Sequence, residues 1–189
     1  MKKILIIPIL SVIILITSAS TTNITSNKAS FQQAIKTLSN EKSFHEVSSN
    51  IFKLIVPTDW KTTLVANENI LFGKEQEDDV GEIYIKRLIF LDGEPIITEN
   101  IIHRMLPNHL DINSEKRLEG FFTNAYLLNV TMIAPPPQGG QFIGNWTYII
   151  FIDYGKSTSK QIIAYGLSLN TKYVSEQEAI NIAKTIKIK

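Results

Sequence analysis

Two runs of alternating residues joined by a short polar turn constrain this chain more than any other feature. Trp146, Tyr148, Ile150, Ile152 and Tyr154 alternate with Thr147, Ile149, Phe151 and Asp153. After the turn of Gly155, Lys156, Ser157, Thr158 and Ser159, a second run places Gln161, Ile163, Tyr165, Leu167 and Leu169 against Ile162, Ala164, Gly166 and Ser168. Successive side chains of a strand point to opposite faces, so two such runs around a polar turn specify an antiparallel hairpin. Ser175, Glu176, Gln177 and Glu178 follow as a capping box, in which serine and the glutamate three residues on satisfy each other's backbone amides. Val174 and Ala179 are placed to staple that helix start, and Ala179, Ile182, Ala183 and Ile186 give it one apolar stripe. A hairpin followed by a helix that must cover it argues for an α+β fold.

The same reasoning runs upstream. Phe52, Leu54 and Val56 alternate with Ile51, Lys53 and Ile55, a strand closed by Pro57, Thr58 and Asp59, with Trp60 just beyond the turn. Residues 64–66 and 70–73 read as short strands around the polar turn Asn67, Glu68, Asn69. An acidic connector precedes a long strand over 81–91, which Asp92 and Gly93 end with turn chemistry. Thr98 is placed to cap a helix carrying Ile101, Ile102, Met105 and Leu106, stopped by Pro107. Valine, threonine and isoleucine gather in a strand over 126–133. Near the start, Ser30 and Gln33 form a capping box for a short helix bearing Phe31, Ala34, Ile35 and Leu38. With no internal repeat and no second boundary, residues 30–189 form a single α+β domain. The simplest arrangement is one twisted antiparallel sheet flanked by the N- and C-terminal helices, an αβα sandwich.

Before that domain, Lys2 and Lys3 lead into an apolar run over 4–16, followed by Thr17, Ser18, Ala19, Ser20 and Thr21. Basic, apolar, then small is the order of a secretion signal. The run of about thirteen residues is short of the roughly twenty that span a bilayer as a helix. Residues 1–20 are therefore expected to be a cleaved signal and 21–29 a mobile polar lead, placing the domain outside the cytoplasm, periplasmic or secreted. An uncleaved signal would be its one route to a membrane. Intact-mass measurement of the protein recovered outside the cytoplasm should show the loss of about twenty residues; a full-length species held in the membrane fraction would contradict this.

The chain has no cysteine, which removes disulfides, thiol catalysis and thiolate metal sites. A domain of roughly 165 residues needs no such staples, because it buries about two thirds of its unfolded surface. Nineteen basic residues stand against eighteen acidic ones, a balance without the electrostatic footprint of a nucleic-acid partner.

Phe52-Lys53-Leu54-Ile55-Val56-Pro57-Thr58-Asp59-Trp60 is similar to the strand that opens many Mog1/PsbP-like domains, where an alternating strand runs into Pro-x-x-Trp. The tyrosine-bearing strand at 165–169, its polar turn and the helix from Ser175 resemble the ending of that class. Together they cover about a fifth of the chain, and residues 94–140 do not add to the match. The resemblance implies an αβα sandwich around an antiparallel sheet, in an exported or lumenal accessory protein that binds partners and lacks catalysis. It carries over no catalytic residue.

Of the candidate sites, the acidic run Glu75, Glu77, Asp78, Asp79 with Glu82 is the densest charge feature. Its spacing fails the EF-hand pattern, and a solvated connector is the better reading. His103 and His109 lie six apart across Pro107, with His45 far upstream. A metal pair on one helix face needs a spacing of three or four, and no nucleophile elbow accompanies any histidine. Lys86 and Arg87, with His103 and Arg104, would form a basic patch only if the first two shared a face, and adjacent strand residues do not. Trp60, Trp146, Tyr148 and Phe142 read as core aromatics. Pro135, Pro136, Pro137, Gln138, Gly139 and Gly140 form no regular element. This exposed loop is the candidate partner-binding segment. No catalytic, cofactor-binding or metal-binding residues emerge. The sequence thus reads as an exported, non-enzymatic accessory domain that binds a protein or small ligand. The alternative is a small extracytoplasmic hydrolase whose site assembles only in three dimensions.

Overall fold

The alternation in residues 52–56 is built out as expected: Phe52, Leu54 and Val56 are buried while Lys53 and Ile55 are half-buried, in a strand that ends at Pro57. The computed structural model describes residues 43–74, 79–120, 124–133, 142–158 and 160–189. Along them the order is β1 (Phe44–Ser48), β2 (Phe52–Pro57), β3 (Lys61–Val65), β4 (Asn69–Gly73), β5 (Asp79–Ile89), α1 (Thr98–Met105), β6 (Leu110–Leu118), β7 (Ala125–Ile133), β8 (Phe142–Asp153), β9 (Gln161–Asn170), α2 (Glu176–Ala183) and β10 (Lys187–Ile188).

Two sheets result. Seven strands run β3-β4-β5-β9-β8-β7-β6, all neighbours antiparallel, and a small three-stranded sheet runs β1-β2-β10. The hairpin read from 146–169 is the pair β8–β9 near the centre of the large sheet, in register from Trp146 opposite Asn170 to Asp153 opposite Ile163. Its alternation serves two cores. Ile149, Phe151, Tyr165, Leu167 and Leu169 pack with β2 and α2 in one cluster. Trp146, Tyr148, Ile150, Ile152, Ile162 and Ala164 pack with Ile101, Ile102 and Met105 of α1 in the other. Both faces of the large sheet are therefore covered, and both rows of the hairpin are mostly apolar because both faces are inside, with Thr147 and Ser168 buried polar exceptions.

The capping box at Ser175 forms as expected: its hydroxyl accepts from the Glu178 amide, and the Glu178 carboxylate accepts from the Ser175 amide at 3.0 Å. At the other end of α2, the Thr185 hydroxyl donates to the Ile182 carbonyl (2.7 Å) and accepts the Ile55 amide (3.0 Å), fixing the helix to β2.

The arrangement departs from the expected one. Instead of one sheet between terminal helices, the layer on one face is α2 with the small sheet, and the layer on the other is α1 from the middle of the chain. The helix expected over residues 30–38 lies outside the described residues. Thr98 is not a cap: Ile97 holds that position with no side-chain bond, so α1 starts uncapped and is held by its buried face. Strands β1 and β6 arise where the sequence shows no apolar alternation. Each is an edge strand with mostly exposed or half-buried side chains, so its register is set by its neighbour and not by a buried face of its own.

Candidate functional site

A narrow cleft opens where the Pro-x-x-Trp turn meets the start of α2. The Trp60 amide donates to the Pro57 carbonyl at 3.1 Å, folding the indole back, where it packs on the Phe72 ring at 5.3 Å between centroids. Phe44 stands opposite Pro57 in the β1–β2 register. From the other side, Tyr173 and Val174 donate their amides to the Asn170 carbonyl (3.0 and 3.2 Å), a turn that leads β9 into α2. Phe44, Pro57, Trp60, Tyr173, Val174, Glu178 and Ile182 line a small recess, with room for about one water molecule, that opens to solvent. Its rim carries both signs of charge. Lys172 and Lys74 lie over the Tyr173 ring at 4.8 and 5.9 Å, and Lys74 bridges Asp59 at 3.0 Å. The Glu178 carboxylate takes bonds from the Ser175 amide and hydroxyl. The recess thus combines an apolar floor, an aromatic wall and a charged rim.

A second polar group lies on the large sheet's other face. Across the strands Leu71, Glu82, Ser168, Tyr148 and Leu128 form one row. Next to it the Tyr84 hydroxyl donates to the Met105 carbonyl at 2.9 Å, and the Lys86 ammonium donates to the Arg104 and Met105 carbonyls at 3.0 and 2.9 Å. Lys86 thus sits on the C-terminal carbonyls of α1, where a cation is favoured. Burial raises the Glu82 carboxyl above its ordinary range, the Asp79 charge adds to this, and Lys86 opposes it. Burial likewise keeps the Tyr84 and Tyr148 phenols protonated. The row offers hydrogen-bonding groups and no activated nucleophile. A carboxyl held above its unfolded pKa binds its proton more tightly in the fold. Stability therefore falls as pH rises through that window, and the penalty is complete above it. Glu82→Gln should raise the denaturation midpoint at neutral pH, with the gain fading as pH falls below the carboxylate range. Denaturant melts across pH test this, and a loss at neutral pH would contradict it.

The sequence-derived candidates fall as follows. Residues 135–140 lie outside the described residues; the strands they join are β7 and β8, whose facing ends pair Ile133 with Phe142. His45 is on β1, His103 is on α1 at 4.0 Å from Glu99, and His109 precedes β6 with φ 65°. Among the described residues no three histidines or carboxylates gather as a metal site. Glu75, Glu77 and Asp78 lie outside them. Lys86 and Arg87 diverge as expected: Lys86 turns under α1, while Arg87 pairs with Glu68 at 3.1 Å. Arg104 is engaged by Glu94 and by the Ile89 carbonyl, so no basic patch forms there. Trp60, Trp146 and Tyr148 are buried as core aromatics, and the Phe142 side chain lies outside the description. The sequence reading treats Trp60 as core alone. It does not find the cleft, because Phe44, Trp60 and Tyr173 come from three separate stretches; the one local signal is an aromatic, Tyr173, between a strand and a capping box.

No family model matches the sequence, and no curated protein matches it. Solved structures similar in fold include the Ran-binding protein Mog1p of Saccharomyces cerevisiae, with a TM-score of 0.42 and 9% identity, covering 78% of this chain and 96% of that one. Another is LpqN of Mycobacterium tuberculosis, a protein involved in cell envelope biogenesis, with a TM-score of 0.43 and 13% identity, covering 79% of this chain and 92% of that one. The Mog1 likeness expected from the Pro-x-x-Trp strand thus recurs among the structural matches. At this degree of likeness the functional reading rests on the chain's own residues.

Proposed function

We propose that this chain is an exported, non-catalytic binding domain that engages a protein or small ligand through the Trp60 cleft, with the loop over 135–140 adding to the contact. The observation that carries the proposal is the cleft itself: Phe44, Trp60, Tyr173, Val174 and Ile182 leave an apolar recess open to solvent at the margin of the core shared by β2 and α2. Apolar recesses with a few polar groups at the rim are where proteins take ligands. The hydrolase alternative needs a nucleophile within reach of a base, and the three histidines stand on separate elements. Export is supported by the basic, apolar, small order of residues 2–21. Among the described residues no helix is long and apolar enough to cross a membrane.

A photo-crosslinking residue at Tyr173, introduced in the living host, tests the contact. A discrete mass increase is expected at Tyr173 and not at Lys116, which is exposed on β6. Labelling of both positions alike, or of neither, would overturn the proposal.

A further inference from the structure

The register of β5 brings two carboxyl groups to one place. Gly73 of β4 lies opposite Asp79 and Leu71 opposite Glu82, with the pairing shifted between Phe72 and Gly73. Gly73 and Leu71, two apart, face one way along β4, whereas residues three apart on a regular strand face opposite ways. The extra residue on β5, Val80, makes up the difference. It is fully buried in the core shared with β2 and α2, so Asp79 and Glu82 both turn to the other face, the one that α1 covers in part. A bulge re-aims a side chain in this way, and bulges are frequent next to active sites.

The two carboxyls meet buried groups that lack partners. Ser168 lies directly opposite Glu82 on one side and Tyr148 on the other. Ser168 is 2% exposed and Tyr148 5%, yet among the described residues neither hydroxyl has a hydrogen-bond partner. The charges of Glu82 and Asp79 act on the Tyr148 phenol, so its hydroxyl end lies toward them. Among the described residues no salt bridge reaches Asp79 or Glu82. The Lys86 ammonium donates instead to the Arg104 and Met105 carbonyls. Glu82 is half-buried, Asp79 is exposed and Leu71 beside them is 40% exposed, so the cluster opens to solvent at its β4 side. Withdrawing a carboxylate from water without a partner is costly, and a bound cation would offset that cost.

We propose that Asp79, Glu82, Ser168 and Tyr148 form a binding site for an ammonium group. The three N–H donors of such a group match the acceptors gathered there, two carboxylates and two hydroxyl oxygens. Calcium takes roughly six to eight oxygens, drawn from carboxylates, carbonyls and water, and zinc prefers nitrogen and sulfur ligands; the cluster supplies neither set. The site lies on the opposite face of the large sheet from the Trp60 cleft and does not depend on it.

Titrating the isotopically labelled protein, as recovered from its host, with butylammonium chloride tests this by nuclear magnetic resonance. The Asp79 and Glu82 carboxyl signals and the Gly81 and Ser168 amide signals should shift saturably. Butanol and sodium chloride at the same concentrations should leave them in place. Glu82→Gln should weaken binding about tenfold or more, and Tyr148→Phe about threefold or more, since each removes one bond to the cation. Glu46→Gln on β1 should bind as the parent does. A capped Gly-Lys-Gly peptide separates two sources of the group: tighter binding of the peptide assigns the ammonium to a partner's lysine, and tighter binding of the amine to a free small molecule. No saturable shift, a shift that either control reproduces, calcium chloride acting at lower concentration than the amine, or a Glu82→Gln variant that binds like the parent would each overturn the proposal.

Discussion

Gly81→Ala is expected to remove a large part of the chain's stability. Gly81 lies in β5 with φ 145°, and a Cβ built there would stand 1.9 Å from the Ser168 carbonyl oxygen on β9. The obstacle is backbone, not the end of a flexible side chain. It belongs to the β5–β9 pairing that runs from Gly81 opposite Leu169 to Ile89 opposite Gln161. A residue forced into a glycine-only conformation costs about 1–3 kcal/mol, and overpacking a closed interior costs about 1–3 kcal/mol more. Against a total stability of roughly 5–15 kcal/mol, the sum decides whether the chain folds. Gly166 gives the contrast. A Cβ there would meet the Tyr84 ring at 2.3 Å, and a ring can swing away at the loss of its bond to Met105. Gly166→Ala should therefore cost less than Gly81→Ala. Circular dichroism and denaturant melts of both variants measure this ordering; equal costs would contradict it.

Trp60→Ala should cost roughly 3–5 kcal/mol, the range for deleting a buried large aromatic. Trp60 is 5% exposed and packs against Phe72 in the core shared by β2, β4 and α2. Ser175→Ala removes one helix cap and no core volume, so it should cost only about 1 kcal/mol. The two variants separate a residue that closes the core from one that tidies a helix end, and urea melts read both. Equal, small losses would mean that Trp60 contributes its surface to the cleft and little to the fold.

The contrast between legible and illegible parts follows burial. Strands β2, β8 and β9 were readable because each buries a full apolar row, and α2 because Ser175 and Glu178 meet as a capping box. Strand β6 was not, since Asp111, Asn113, Ser114, Glu115, Lys116 and Arg117 face solvent at a sheet edge and carry no period. Strand β1 failed for the same reason, with Val47 its one buried residue. The covering role of α1 was hidden because Ile101, Ile102 and Met105 mark an apolar stripe without saying which face it meets. The site was less legible still. Glu82 falls in the strand read over 81–91, just after the acidic run, but nothing in the sequence says that its carboxyl is buried there, which is what raises its pKa. The Trp60 cleft depends on β1, a strand without a sequence signature, coming to lie beside the Tyr173 turn.

Whether this domain works by contact or by chemistry is tested most directly by complementing a deletion strain with four folded variants: His45→Gln, His103→Gln, His109→Asn and Tyr173→Ala. Acid–base chemistry in a chain without cysteine would draw on a histidine or a tuned carboxyl, whereas binding at the cleft draws on the Tyr173 wall. The three histidine variants should restore the parent phenotype, and Tyr173→Ala, with its melting midpoint close to the parent's, should not. A histidine variant that folds normally and fails, beside a Tyr173→Ala variant that complements fully, would contradict the binding reading and point to a catalytic site.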